Sequence, residues 1–125
     1  MVVLDTCAII ESLQKSPTFS KKTIQLINAG AYVLSISFAE IACKAKLGKL
    51  ELSISTRKLV QEYSQLQSIE IVDVGTNEWL DSIELEWDDN RDPADRVITS
   101  FAAKKKLSIV TTDKKIEKFY HKVIW

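Results

Sequence analysis

With 125 residues, 46% of them hydrophobic, the chain has the size of one ordinary domain and enough apolar side chain for a core. Seventeen basic and 17 acidic residues cancel, so no strong overall field marks it as a nucleic-acid binder, and any such binding needs a local patch. Met1-Val2-Val3-Leu4 meets Asp5 at once and no long apolar run follows, which predicts a soluble, cytoplasmic protein without a membrane span.

Short apolar runs alternate along the chain with segments of helical period, and no Pro/Gly/Ser linker, repeat or low-complexity tract interrupts them; residues 1–125 read as a single domain. Val2 to Asp5 is the first predicted strand, and a helix follows from Cys7 to Leu13. Ser20 to Asn28 is helical and stops at Gly30. A second strand runs from Ala31 to Ile36. Ser55 to Gln67 carries Leu59, Val60, Tyr63 and Leu66 at helix spacing, ahead of a strand from Ile69 to Val74. Thr76 to Trp87 is the next helix, with Trp79, Leu80 and Ile83 on one face. Pro93 to Lys105 is the clearest: Ala94, Val97, Ile98, Phe101 and Ala102 follow the i, i+3, i+4, i+7, i+8 rule and should pack on a sheet. Leu107 to Thr111 and the weaker Lys122 to Ile124 complete an α/β pattern with a mostly parallel sheet. Cys7 and Cys43 lack the paired spacing of a zinc or redox site and are expected to be small buried core thiols.

Four acids fall where a strand ends or a helix begins. Asp5 closes the first strand and can cap the next helix for about 1 kcal/mol, as can Thr6. Ser37-Phe38-Ala39-Glu40 spells a capping box, and Glu40 also stands four residues before Lys44. In Asp92-Pro93-Ala94-Asp95-Arg96, Asp92 suits the cap and Pro93 the first turn, while Asp95 borders the buried stripe and wants a partner, which Arg96 could provide although Asp88 and Asp89 also offer that arginine acidic neighbours. Asp113 follows Thr111-Thr112 and precedes Lys114-Lys115-Ile116. Capping explains each acid singly. It does not explain four of them at ends that an α/β fold gathers along one sheet edge. Two like charges about 4 Å apart repel by about 4 kcal/mol at an effective permittivity of roughly 20. A shared divalent cation offsets that repulsion, and carboxylate oxygens are what magnesium or manganese prefers. The pattern points to metal-dependent phosphodiester cleavage. The single histidine, His121, near the chain end, excludes a histidine-pair ribonuclease. An aspartyl-phosphate enzyme built on Asp5 would want a second aspartate where Cys7 stands.

Leu4-Asp5-Thr6, Phe38-Ala39-Glu40-Ile41, Asp92-Pro93-Ala94-Asp95-Arg96 and Thr111-Thr112-Asp113 together resemble the PIN-domain signature across nearly the whole chain. With Glu40-Ile41, Lys44 and Gly48-Lys49-Leu50, the sequence is most similar to the VapC-type toxin ribonucleases of toxin–antitoxin pairs. That resemblance implies a three-layer α/β/α sandwich and an endoribonuclease in which Asp5, Glu40, Asp95 and Asp113 hold Mg2+ or Mn2+. It implies Asp92 as an accessory acid, and Thr6 and Thr112 as hydroxyls that orient carboxylates or water. It also implies an RNA substrate, a cognate antitoxin covering the acidic pocket, and a homodimer. Ala39 stands where a tryptophan is common in the subgroup, and Asn90 where a histidine often precedes the Asp-Pro element. Lys44, Lys46, Lys49, Lys114 and Lys115 either track the RNA backbone or form a solvated face. A PIN-like module that binds RNA or protein without cutting is the alternative, and Leu52, Ile54, Trp79 and Trp87 are divided between an interface and the core.

Overall fold

The computed structural model describes residues 1–125. Five strands, β1 (Val2–Leu4), β2 (Ala31–Leu34), β3 (Ile69–Val72), β4 (Ile109–Val110) and β5 (Val123–Ile124), form one sheet in the order β3-β2-β1-β4-β5. Every pairing is parallel, with Val3 opposite Tyr32 on one side and Ile109 on the other. Seven helices connect or flank them: α1 (Thr6–Ser12), α2 (Lys21–Ala29), α3 (Ser35–Lys46), α4 (Thr56–Gln65), α5 (Thr76–Ile83), α6 (Pro93–Lys105) and α7 (Lys114–Phe119). None is long and apolar enough to cross a membrane.

The three layers follow from the two-residue period of a strand. Val2, Leu4, Ala31, Val33 and Val110 face one way, into a core completed by Ala8 and Ile9 of α1, Phe38 and Ile41 of α3, and Leu59 and Tyr63 of α4. Val3, Leu34 and Ile109 face the other way, against Val97, Ile98 and Ala102 of α6 and Ile116 of α7. Both faces of β1 are thus covered, and its strand reads as an uninterrupted apolar run. α6 has the predicted bounds, capped by Asp92, whose side chain accepts from the Ala94 and Asp95 amides at 2.9 and 3.2 Å.

Several local expectations fail for tertiary reasons. β2 ends at Leu34, two residues short of the predicted Ile36, because α3 begins at Ser35 with Leu34 at its N-cap and no side-chain cap. Ser37 therefore lies inside the helix, and the capping box it spelled with Glu40 does not form. α5 ends at Ile83, and its apolar strip turns outward: Trp79, Leu80 and Ile83 are 36%, 58% and 71% exposed. Trp87, beyond the helix, is in the core and stacks on Phe119. Leu52 and Ile54 pack half-buried against the first core. Cys43 is exposed and Cys7 only half-buried, so neither is the core thiol expected.

Candidate active site

All strands point their carboxyl ends to one edge, and the residues that follow them build a cleft of about 240 Å³. Asp5, Thr6, Cys7, Glu40, Lys44, Asp95, Thr112 and Asp113 line it. The four acids named from the sequence thus share one cavity. Asp5 follows β1, Glu40 stands on the inward side of α3, Asp95 lies in the first turn of α6, and Asp113 caps α7 through the Lys115 amide at 2.8 Å.

Each carboxylate is held by a neutral donor. Asp5, 5% exposed, takes the Thr6 amide on Oδ1 at 2.7 Å and the Thr111 hydroxyl on Oδ2 at 2.7 Å. The Cys7 thiol reaches the same Oδ2 at 3.6 Å. Thr6 donates its hydroxyl to Glu40 Oε1 at 2.6 Å, with Ser37 Oγ also 3.0 Å away. Asn90 donates from Nδ2 to Asp95 Oδ2 at 3.0 Å. No cation forms an ion pair with any of the four, since the chain's two salt bridges join Lys104 to Asp81 and Lys114 to Glu117. Lys44 lines the cleft without closing on a carboxylate. One oxygen each of Glu40, Asp95 and Asp113 has no hydrogen-bond partner in the chain.

The electrostatics record that arrangement. Burial pushes Asp95 up to about 6; its bond from Asn90 pulls the other way, and the charges of Asp92, Asp113 and Asp5 add to the rise. Burial likewise raises Asp5, against the bonds from Thr111, Thr6 and Cys7 and together with the Asp113 charge. Glu40 is raised by burial, lowered by Thr6, raised again by Asp92 and Asp5, and lowered by Lys44. Carboxylates that repel one another in a partly desolvated cleft, unpaired and with free oxygen lone pairs, are a donor set suited to a hard divalent cation. In this arrangement no three His, Cys, Asp or Glu side chains enclose a metal position. The chemistry of the donors therefore fits such an ion, while the side chains stand apart along the cleft walls.

Two expected pairings are corrected here, and the accessory residues take their places around the cleft. Arg96 is not the partner of Asp95: its guanidinium turns back to the carbonyls of Ser82, Ile83, Leu85, Trp87 and Asn90, the segment that leads into α6. Glu40 and Lys44 form no ion pair. Thr112 is exposed at the cleft and only 3.9 Å from the Cys7 sulfur, and it is Thr111 that orients Asp5. Asp92 caps α6 outside the cleft lining; its side chain accepts the Asp95 amide at 3.2 Å, and its charge raises Glu40 and Asp95. Of the basic residues, Lys44 is in the cleft, Lys114 is paired with Glu117 at 2.8 Å, and Lys46, Lys49 and Lys115 are exposed outside it. Sequence reasoning missed the supports Thr111, Asn90, Ser37 and Cys7. Position was the available signal, since each stands within three residues of an acid in sequence or, for Asn90, five before Asp95.

The family model for the PIN domain matches residues 2–122, so the chain belongs to the PIN-domain family, whose members are in general nucleases that use divalent metal ions. Among solved structures, a toxin–antitoxin complex from Klebsiella pneumoniae superposes with TM-score 0.67 at 15% identity, covering 100% of this chain and 97% of that one. FitAcB from Neisseria gonorrhoeae gives 0.58 at 18%, with coverage of 100% and 97%. FitAB bound to an IR36 DNA fragment gives 0.64 at 16%, with coverage of 100% and 94%. These likenesses establish the fold. No curated protein shows significant sequence similarity to the chain.

Proposed function

We propose that the protein is a metal-dependent endoribonuclease toxin of the VapC type, which hydrolyses RNA phosphodiester bonds and is restrained by a cognate antitoxin. The observation that carries this reading is one cleft lined by Asp5, Glu40, Asp95 and Asp113 with no basic side chain paired to any of them. Those four residues would hold Mg2+ or Mn2+, which when bound supplies an activated water and neutralises charge on the phosphodiester. Thr111, Thr6 and Asn90 hold Asp5, Glu40 and Asp95 on the walls of one cleft, and these side chains would draw together on a bound ion. Asp95 has to release its proton, bound below about pH 6, before it serves as an anionic ligand. Lys44, on the cleft wall, meets a phosphate of the bound strand.

The restraint by a partner is proposed from the company the fold keeps: two of the similar structures are a toxin–antitoxin complex and a DNA-bound FitAB complex. An antitoxin tail that enters the cleft would lay its own basic group among the acids, and the toxin would act as a homodimer in the cytoplasm. Incubation of purified, antitoxin-free protein with structured RNA in Mg2+ or Mn2+ tests the activity. Cleavage that EDTA stops and that Asp5→Asn and Asp95→Asn abolish is the expected result; wild type and variants equally inert in every metal would overturn it.

The spread of the carboxylates, with no three of them round a common point, favours one other reading, a PIN-like module that binds RNA or protein without cutting. Calorimetry separates the two. Mn2+ binding that both substitutions weaken supports the nuclease, and its absence supports the binding module.

A further inference from the structure

A second cavity, of about 390 Å³, adjoins the acidic cleft and contains none of the four carboxylates. Its walls are Trp87, Asp89, Asn90, Lys115, Lys118 and Phe119. Asn90 connects the two sites: it lines this cavity, while its amide donates to Asp95 of the cleft. α7 connects them again, because Asp113 at its start lines the cleft and Lys115 and Lys118, three residues apart on that helix, line the cavity. Residues three apart on a helix share a face.

The chemistry of the walls is uneven. Asn90 is oriented by its own chain, giving an Nδ2 hydrogen to Asp95 and accepting the Asp92 amide on Oδ1 at 2.9 Å. Lys115 and Lys118 are exposed, and neither ammonium has a carboxylate within 4.0 Å, unlike their neighbour Lys114. Trp87 and Phe119 stack at 4.6 Å and 4° between planes; Trp87 is 4% exposed and forms the floor, while Phe119 is half-buried and keeps part of its ring at the surface. Asp89 is the one acid on the rim, leaving it one net positive charge against the two lysines. Free cations beside a partly open aromatic ring are the combination that tracks a phosphate backbone and stacks an unpaired base.

We propose that this cavity is a subsite for single-stranded RNA, taking the nucleotide that flanks the phosphate lying over the carboxylates, with Lys115 and Lys118 on its phosphates and Phe119 against its base. The subsite rests on the nuclease reading and gives the substrate a preferred form: an unpaired segment, because a base inside a duplex has no free face to stack. Phosphate contacts fix the strand across α7, and the aromatic ring sets which stretch of a folded RNA enters the cleft.

Fluorescence anisotropy of a labelled single-stranded RNA, titrated with the full chain in EDTA so that nothing is cut, tests the subsite apart from catalysis. Lys115→Gln with Lys118→Gln should weaken binding tenfold or more at low salt, and should flatten the slope of log K against log [KCl] by about 1.4, or about 0.7 for each phosphate left without its lysine. Phe119→Leu should weaken binding about tenfold with the slope unchanged. Removing the same two charges at the far end of α6, with Lys105→Gln and Lys106→Gln, should leave both quantities near wild type. An equal loss of affinity from the two lysine pairs would reduce the effect to net charge and overturn the subsite. So would a Lys115/Lys118 variant that binds normally, or a preference for duplex over single-stranded RNA. If wild type cleaves RNA in Mn2+ while the variants bind as it does, the subsite fails and the nuclease stands. If wild type neither binds nor cleaves RNA, both fail. Near-ultraviolet circular dichroism keeps the Phe119 result distinct from misfolding, and the lysine pair does not touch the core.

Discussion

Asp95 sits among negative neighbours in a half-buried position, and its raised pKa has a consequence for stability. The folded state holds that proton up to about pH 6, whereas an unfolded aspartate releases it near 3.8. Between those values the folded state binds more protons, so stability falls as pH rises through the window, and the full loss is in place above pH 6. Asp95→Asn removes the linkage. Thermal unfolding in EDTA should show variant and wild type similar at low pH and the variant more stable from pH 6 upward. A variant less stable than wild type at pH 7.5 would contradict the strain assigned to this carboxylate. Arg96 acts at the same scale but on the backbone. Its hydrogen bonds to five carbonyls fasten residues 82–90, and so hold Asn90 against Asp95. A lysine has no fork to span them. Arg96→Lys should cost about 2 kcal/mol or more and speed hydrogen exchange at residues 84–92, with α3 and α4 unaffected.

Among the elements, α6 carries both the second core and the acidic motif, and one of its side chains is misfit. Thr99 is fully buried and its hydroxyl is the chain's one buried side-chain polar atom without a partner. Thr99→Val keeps the shape and removes the desolvated group, so it should raise stability by about 1 kcal/mol, readable as a higher midpoint in urea. The bounds of α6 were legible because every local signal agrees there: an aspartate cap, a proline in the first turn, an apolar stripe at helical spacing, and basic residues at the end. α3 was misread for the opposite reason. Ser37 and Glu40 have capping chemistry, but Leu34 fills the second core, so the strand stops there and the helix starts without a cap. Thr6, across the sheet edge, then takes both side chains. α5 stops at Ile83 and not at the expected Trp87, and periodicity had identified its stripe without saying which way it faces. Trp79, Leu80 and Ile83 have helical spacing and an outward aspect, whereas Trp87, past the helix, is the aromatic that enters the core. The four acids were legible because strand-end positions converge in any parallel α/β fold; the roles of Thr111 and Asn90 were not, because an acid nearby in sequence does not say which carboxylate, Asp5 or Asp95, the side chain reaches.

For the molecule as a whole, folding gathers negative charge at one edge of the sheet while the total charge stays at zero. A divalent ion that binds only the folded state adds RT ln(1 + [L]/Kd) to stability and competes with protons for the same oxygens. Mn2+ should therefore raise the melting temperature at pH 7.5 by several degrees and much less at pH 5, where Asp95 is protonated. Equal shifts at both pH values would place the ion elsewhere.

The middle strand of the sheet is the first to be synthesised and almost the last to be completed, since Val3 has to wait for Ile109 and Leu4 for Val110. Closure over so long a stretch of chain is slow, and no product of translation that stops short of Ile109 contains it. The cleft needs Asp113 from just beyond that strand, so a nascent polypeptide that stops short of it has at most three of the acids and no complete site. If the protein cuts RNA, its synthesis is harmless to the message and machinery that make it until Asp113 has joined the other three acids. That interval is when a partner already present in the cell can meet it.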